Sequence, residues 1–369
     1  MSDPAQELQR IGREIVGPAF VRFARDVELR ARALRLDRLY FLARDGFVLQ
    51  QLYEREGGTL PASYLYVSRL STALPAVHEL GARELALASG RLGEHGTTQL
   101  LDSLGLPHTL ARPHHATPAA FVADLQARDA ARVLAAGARA RLRAYLAREH
   151  WFECERVGLV DIGWSGTIQD ALARAFGGAG PALHGLYFAL RTPDARALPE
   201  PASHKEGVFV DHRRHASLPE RAVFHFVRLF EQAARAPHGT TLRYDEDGTP
   251  VVNETGRDRL AEQRSDALVE ALQRGVLEAT ISSSPWAAID RLVFAPTRDE
   301  LDALALVAHT DDWGADSHVM LGAAAASLRQ PMELWRRFHA SQWKPSLLSR
   351  LDVPYLPQLY RRYVQLRGR

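Results

Sequence analysis

The chain has 369 residues, 46 Lys+Arg against 44 Asp+Glu, a formal net charge of +2 and a single cysteine. At about 150 residues per domain this allows two domains, or one large domain with an inserted lobe. The near balance of charge is not that of a dedicated nucleic-acid binder, and Cys154 alone excludes an intramolecular disulfide framework or a thiolate zinc cluster.

The start, Met1 to Leu8, is polar and acidic rather than basic and apolar, and no run approaches the about 20 apolar residues that span a bilayer. A cytoplasmic protein is expected. Helical spacing of Phe20, Phe23, Val27 and Leu34 predicts a helix over Ile15 to Leu36, started at Gly17-Pro18. Leu39 to Ala43 reads as a buried strand, Arg44-Asp45-Gly46 as a turn, and Phe47 to Arg55 as a helix that Gly57-Gly58 ends. Tyr64 to Val67 is a second strand, closed by Ser68-Arg69. Thr72 to His150 reads as a helical insertion, broken by a loop from Pro107 to Pro118. Val157 to Val160 returns as a strand, passes through Asp161-Ile162-Gly163-Trp164-Ser165-Gly166-Thr167 into a helix from Ile168 to Phe176, and is followed by the strand Leu183 to Leu190. This is a βαβ unit of ordinary size.

Beyond Arg191 the expected elements are a strand at Gly207 to Val210, a helix from Leu218 to Ala234 and a hairpin from Thr240 to Val252. Helices follow at Asp258 to Ile281 and Thr297 to Ala308, then an aromatic, basic tail from Trp335 to Arg369. The predicted architecture is an α/β core of residues 1–71 and 151–215, a helical insertion of 72–150, and a mostly helical C-terminal lobe of 216–369.

In an open α/β sheet, ligands bind beyond the carboxyl ends of the strands. Gly163, Ser165, Gly166 and Thr167, at the start of a helix, offer backbone N–H groups and hydroxyls suited to a phosphate, and Asp161 could accept from sugar hydroxyls. The same residues could instead serve only a turn and a helix cap. Arg44, Asp45 and Gly46 could grip a diphosphate and a Mg²⁺ ion, with Ser68 and Arg69 on the neighbouring strand end. Asp45 is a candidate base, and so is Glu231 in the aromatic stretch Phe230-Glu231-Gln232, which could instead be a solvated helix carboxylate. His114-His115, His212, His215 and His225 match no common metal-ligand spacing. Asp311-Asp312 reads as an acidic turn, and Gly322 to Ser327 and the dominance of Arg over Lys as compositional habit.

The segment from Val157 to Leu190 resembles the phosphoribosyl-diphosphate signature of type I phosphoribosyltransferases. Asp161 falls on its second acid, Trp164-Ser165-Gly166 on the start of its phosphate turn, Val160 where the first acid is expected, and Ile168 where a hydroxyl is usual. A wider resemblance rests on Gly17-Pro18, Tyr40 to Gly46, Tyr64 to Arg69 and Val160 to Thr167. It is to a bacterial surface-polysaccharide family described as haloacid-dehalogenase-type hydrolases, many of which carry a second, phosphoribosyltransferase-like module. Matching that second module implies transfer of 5-phosphoribose from phosphoribosyl diphosphate, with Mg²⁺, to a glycan or lipid-linked glycan. The aromatic, basic tail reads as a helix packing on the domain or, alternatively, as a peripheral contact with an anionic membrane. The hydrolase's Asp-x-Asp pair is missing around Asp45 and Asp161, so a phosphatase would be a separate partner. Two alternatives stand beside this reading: a phosphohydrolase acting on a phosphosugar, and a non-catalytic sugar-phosphate-binding subunit.

Overall fold

The computed structural model describes residues 3–89, 96–191, 204–213, 217–254, 260, 263–310, 318–321, 331–341, 343–351, 353 and 355–367. The expectations at His215, Asp258, Asp311-Asp312 and 322–327 lie outside the described residues.

Five strands, β1 (Arg38–Leu42), β2 (Ala62–Leu65), β3 (Arg156–Trp164), β4 (Ala182–Leu190) and β5 (His204–Asp211), form a parallel sheet in the order β2-β1-β3-β4-β5. They are rich in apolar residues because both faces are covered. The helices up to the middle of the chain are α1 (Pro4–Ile11), α2 (Gly17–Ala33), α3 (Gly46–Arg55), α4 (Arg69–Ala73), α5 (Ala82–Ser89), α6 (Thr97–Leu104), α7 (Pro118–Ala123), α8 (Leu125–Arg148) and α9 (Thr167–Phe176). Then come α10 (Leu218–Arg221) and α11 (Val227–Ala234), with further helices at Asp266–Glu278, Pro285–Phe294, Arg298–Leu304, Pro331–Ala340, Lys344–Ser349 and Leu356–Arg367.

Alternation along β3 separates two cores. Val160 and Ile162 join Phe20 and Phe23 of α2, Leu52 of α3, Phe230 of α11, Leu272 and Phe294. Phe188 is central to that side, edge-on to Phe20 at 5.0 Å and to Phe23 at 5.6 Å and stacked on Phe209 at 4.7 Å. Truncating such a ring to Ala costs about 3–5 kcal/mol. Val157 and Leu159 face the other way, onto Leu142 and Leu146 of α8, Trp151 and Leu172 of α9. The insertion adds a third cluster of its own around Leu100, Leu104 and Phe121.

The two cores explain where a site belongs. The chain leaves β1 through α3 on one face to reach β2, and leaves β3 through α9 on the other face to reach β4. The carboxyl ends of β1 and β3 therefore diverge at a topological switch point, the crevice where open α/β sheets take ligands.

Several boundaries differ from those read in the sequence. Helix begins at Pro4, not near Gly17, because Asp3 caps it by accepting from the Ala5 N–H at 3.1 Å, and a π-helical segment, Gly12–Val16, joins α1 to α2. β2 ends at Leu65: the Val67 N–H turns back to the Leu65 carbonyl, and Ser68 already caps α4. β3 continues to Trp164, so Asp161 to Trp164 are strand rather than loop. The helix expected over Leu218 to Ala234 breaks at Phe226, and a 3₁₀ turn, Ala222–His225, precedes α11. The helix expected over Thr297 to Ala308 stops at Leu304; Ala308–Thr310 pairs antiparallel with His318–Met320. The hairpin lies where expected, at Thr241–Tyr244 and Pro250–Val252. The C-terminal lobe is not a separate core, since Phe230, Leu272 and Phe294 pack with α2 on the sheet. Among the described residues no helix is long and apolar enough to cross a membrane.

Candidate functional site

The end of β3 and the turn into α9 build one wall of the crevice. Gly163 and Gly166 adopt φ of +102° and +66°, and a Cβ on Gly166 would come within 2.8 Å of the Tyr187 hydroxyl, so glycine is required at both. Gly166 is the N-cap of α9 and brings no side chain to it. Neither Ser165 nor Thr167 caps the helix, which separates them from the purely structural role open in the sequence. Ser165 is exposed and Thr167 half-buried at the positive end of α9, beside backbone N–H groups that an anion can use. Lys205 closes the far side, its Nζ donating to the Asp170 carboxylate at 2.5 Å and to the Ser165 carbonyl at 3.3 Å.

Asp161 is half-buried, yet protein crowds its carboxyl. Desolvation foremost, and the nearby charge of Glu231, push it up to about 7, against the opposing N–H groups of Ile162 and Gly163 and the charge of Arg69. A carboxyl poised there can hold or release a proton near neutrality. Val160, one residue earlier, is wholly buried in the α2 side of the core and faces away from Asp161.

The loop after β1 forms the opposite wall. The Ala43–Arg44 peptide bond is cis. Arg44 and Asp45 are half-buried, the Arg44 carbonyl accepts from the Ala236 N–H at 3.0 Å, and Gly46 packs directly on the backbone of Phe41. Asp45 stands at the N-cap of α3, but its side chain does not bond that helix. Beside it, the Tyr64 hydroxyl meets His238 Nε2 at 2.8 Å, and the Asp45 charge helps burial to raise the Tyr64 phenol above its ordinary range. Arg69 is exposed at the start of α4. Ser68, by contrast, is buried: its hydroxyl accepts from the Ser71 N–H at 2.9 Å and donates to the Thr241 carbonyl at 2.5 Å. Its side chain is thus committed to a capping box and to the hairpin.

Glu231 is brought to the same crevice from 67 residues away in sequence. Trp164 Nε1–H donates to its Oε1 at 2.9 Å, and His309 Nε2 lies 3.4 Å from its Oε2. It is not a solvated helix carboxylate. The Arg191 guanidinium, at the end of β4, sits 5.7 Å from the Trp164 ring and 5.6 Å from that of Phe224. Sequence reasoning missed Tyr64, Arg191, His238 and His309. Tyr64 and Arg191 sit at strand ends and could have been found there; the two histidines carry no local signal.

Among the described residues, His114, His115 and Asp124 form a cluster with metal-ligand side chains. Asp124 Oδ1 caps α8 through the N–H groups of Gln126 and Ala127 at 2.7 and 3.2 Å, while Oδ2 meets both imidazoles at 3.1 and 2.9 Å. His115 Nδ1 accepts the Arg112 N–H at 3.1 Å, which puts the proton of the neutral ring on Nε2, facing Asp124. Metal-ligating imidazoles show the opposite polarity, donating from the far nitrogen. The cluster is a helix cap, and it lies in the insertion. His212 and His225 take part in aromatic packing against Phe224 and Phe294.

No family model matches the chain, and no curated protein matches it.

Proposed function

We propose that the chain is a phosphoribosyl diphosphate-dependent transferase that moves 5-phosphoribose onto a glycan or lipid-linked glycan in bacterial surface-polysaccharide assembly, on a type I phosphoribosyltransferase-like sheet. The observation that carries this reading is the meeting, at one switch point, of Asp161, the uncapped start of α9 and the cations Arg44 and Arg69. Backbone N–H groups of Gly166 and Thr167, with the hydroxyls of Ser165 and Thr167, suit the 5-phosphate. Asp161 suits the ribose hydroxyls, and Arg44 and Arg69 the diphosphate.

The departure at Val160 acquires a physical sense here. A carboxylate at that position would point into the core, whereas Glu231, from α11, lies near enough for its charge to act on Asp161 and would supply the second acid. The acid pair is drawn from two elements instead of adjacent residues of one strand.

A Mg²⁺ ion travelling with a diphosphate keeps most of its water and needs one or two carboxylates. Asp45, a carboxylate at the start of α3 in the crevice, would hold it, and the ion would neutralise charge building on the departing diphosphate. Removal of the 5-phosphate then falls to a separate phosphatase, because Asp45 and Asp161 lack the second acid of an Asp-x-Asp pair. The reading extends to a cytoplasmic enzyme resting peripherally on an anionic membrane through its C-terminal helices.

The test is calorimetric titration with phosphoribosyl diphosphate and Mg²⁺, followed by assay of diphosphate release with candidate acceptor glycans. Binding abolished in Asp161→Ala and release dependent on acceptor are expected. Absence of donor binding overturns the reading; binding without release under any acceptor reassigns the chain as a sugar-phosphate-binding subunit.

A further inference from the structure

Behind Glu231 runs a buried chain of polar side chains with a fixed direction. Arg235 donates from one terminal nitrogen to Asp266 Oδ1 at 2.6 Å and from Nε to Gln232 Oε1 at 2.7 Å. A guanidinium has no acceptor, so this pins the Gln232 amide with its oxygen toward Arg235. The amide nitrogen then faces His309 Nδ1 at 2.9 Å. An amide nitrogen only donates, so Nδ1 is the acceptor and the proton of the neutral imidazole sits on Nε2. That nitrogen is the one 3.4 Å from Glu231 Oε2, while Trp164 holds Oε1. Gln232, Arg235 and His309 are exposed by 1%, 3% and 6%, so competition from water is small. Gln273 ties the backbone of the same turn, its amide donating to the carbonyls of Gln232 and Arg235 at 3.1 and 2.8 Å.

We propose that His309 is a positioning residue, locked by Gln232, Arg235 and Asp266 in its Nε2–H form, that aims the Glu231 carboxylate as proton acceptor for the incoming glycan hydroxyl. The proposal rests on the transferase reading. In the step, the acceptor oxygen bonds to the anomeric carbon as the bond from that carbon to diphosphate breaks, the electron pair leaving with diphosphate and the hydroxyl proton passing to Glu231. His309 does not receive that proton, because the nitrogen facing Glu231 already carries one. Its effect is on orientation, where a misplacement of about 1 Å costs about 100-fold in rate.

The experiment is nuclear magnetic resonance on the ¹⁵N-labelled 369-residue chain, which reads the arrangement without reference to activity. The ring nitrogens of His309, assigned with His309→Gln, are expected to show the Nε2–H tautomer. The Trp164 indole N–H, assigned with Trp164→Phe, is expected to move in Gln232→Glu, which replaces the donating amide by a carboxylate. In the transfer assay His309→Phe lowers kcat about 100-fold at unchanged donor KM, and His309→Gln, which keeps an N–H toward Glu231, recovers part of it. An Nδ1–H tautomer in the unaltered protein overturns the proposal, as does a Trp164 resonance indifferent to Gln232→Glu. If Gln232→Glu does not fold, the tautomer of the unaltered protein decides alone. Correct resonances with no diphosphate release leave the polar chain standing and overturn the transferase reading instead.

Discussion

The Trp164 indole donates to the Glu231 carboxylate across 2.9 Å and so joins the last residue of β3 to α11. Trp164 itself has φ of +69°, a left-handed backbone that bulky residues avoid at a cost of order 1–3 kcal/mol. The Glu231 bond, the edge contact with Phe224 at 6.0 Å and the Arg191 guanidinium hold it there. Trp164→Phe keeps most of the ring and removes the donor. It is expected to destabilise the fold by about 1–2 kcal/mol, lowering Tm by about 2–5 °C. On the transferase reading it is also expected to weaken binding of phosphoribosyl diphosphate, because Glu231 and the turn into α9 lose their common anchor. Calorimetric scanning with and without donor measures both, and an unchanged Tm would remove Trp164 from this role.

Asp161 makes stability depend on pH in a specified direction. Its carboxyl, near 4 when unfolded, is raised to about 7 in the fold by burial and by Glu231. The native state therefore holds the proton more tightly. The penalty is absent below pH 4, grows between pH 4 and 7 and is constant above. Asp161→Asn, which can never ionise, is expected to be more stable than the unaltered protein at pH 8, by about 1–3 kcal/mol, with the gain vanishing near pH 4. If the proposed function holds, the same variant is expected to lose affinity for the donor, a stability gain at the expense of function. Chemical denaturation at the two pH values checks the sign, and a gain at pH 4 equal to that at pH 8 contradicts it.

Ser68 and Arg69 are adjacent and should respond oppositely. Ser68→Ala removes a cap and the bond to Thr241, so a loss of about 1–2 kcal/mol in stability with little change in donor affinity is expected. Arg69→Ala removes an exposed cation, so stability changes by less than about 0.5 kcal/mol. Donor affinity then falls by an amount that shrinks as salt is added. Paired denaturation and binding titrations separate the two. Equal affinity losses would return Ser68 to the ligand-binding set.

How much of this was legible in the chain depends on range. The five strands could be read because each is a local apolar run, and the crevice because strand ends and following helices are local too. Boundaries went wrong where a single interaction decides them: the Asp3 cap that begins α1, the Val67 turn that ends β2, the left-handed Trp164 at the close of β3. Glu231 could be singled out as an acid in an aromatic stretch, but nothing near it in sequence reports Trp164 or His309. Gln232, Arg235 and Asp266 read as ordinary helix residues until the fold brings His309 against them, 77 residues beyond Gln232.

The C-terminal helices offer the last test. From Leu334 to Arg369 the sequence has eight Lys or Arg and one acid, whereas the whole chain is nearly neutral. Within the helix Leu356–Arg367, Tyr360 and Arg361 face inward: Tyr360 meets Phe338 at 5.9 Å and Arg361 pairs with Asp290 at 2.9 Å. Leu359, Tyr363 and Leu366, at helical spacing, form an opposite apolar stripe that is exposed beside Arg362, and Trp335 and Met332 are exposed on the helix Pro331–Ala340. An apolar stripe flanked by arginine suits the boundary of an anionic bilayer better than a nucleic acid, which has no use for the leucines. Co-sedimentation with vesicles rich in phosphatidylglycerol is expected, weakened by salt and lost with zwitterionic lipid. Leu359→Glu with Leu366→Glu should abolish binding while leaving donor affinity intact, since both side chains are exposed and the helix that carries them packs on Pro285–Phe294 and Lys344–Ser349. Binding that survives both substitutions, or that ignores lipid charge, would show that this face does not meet a membrane.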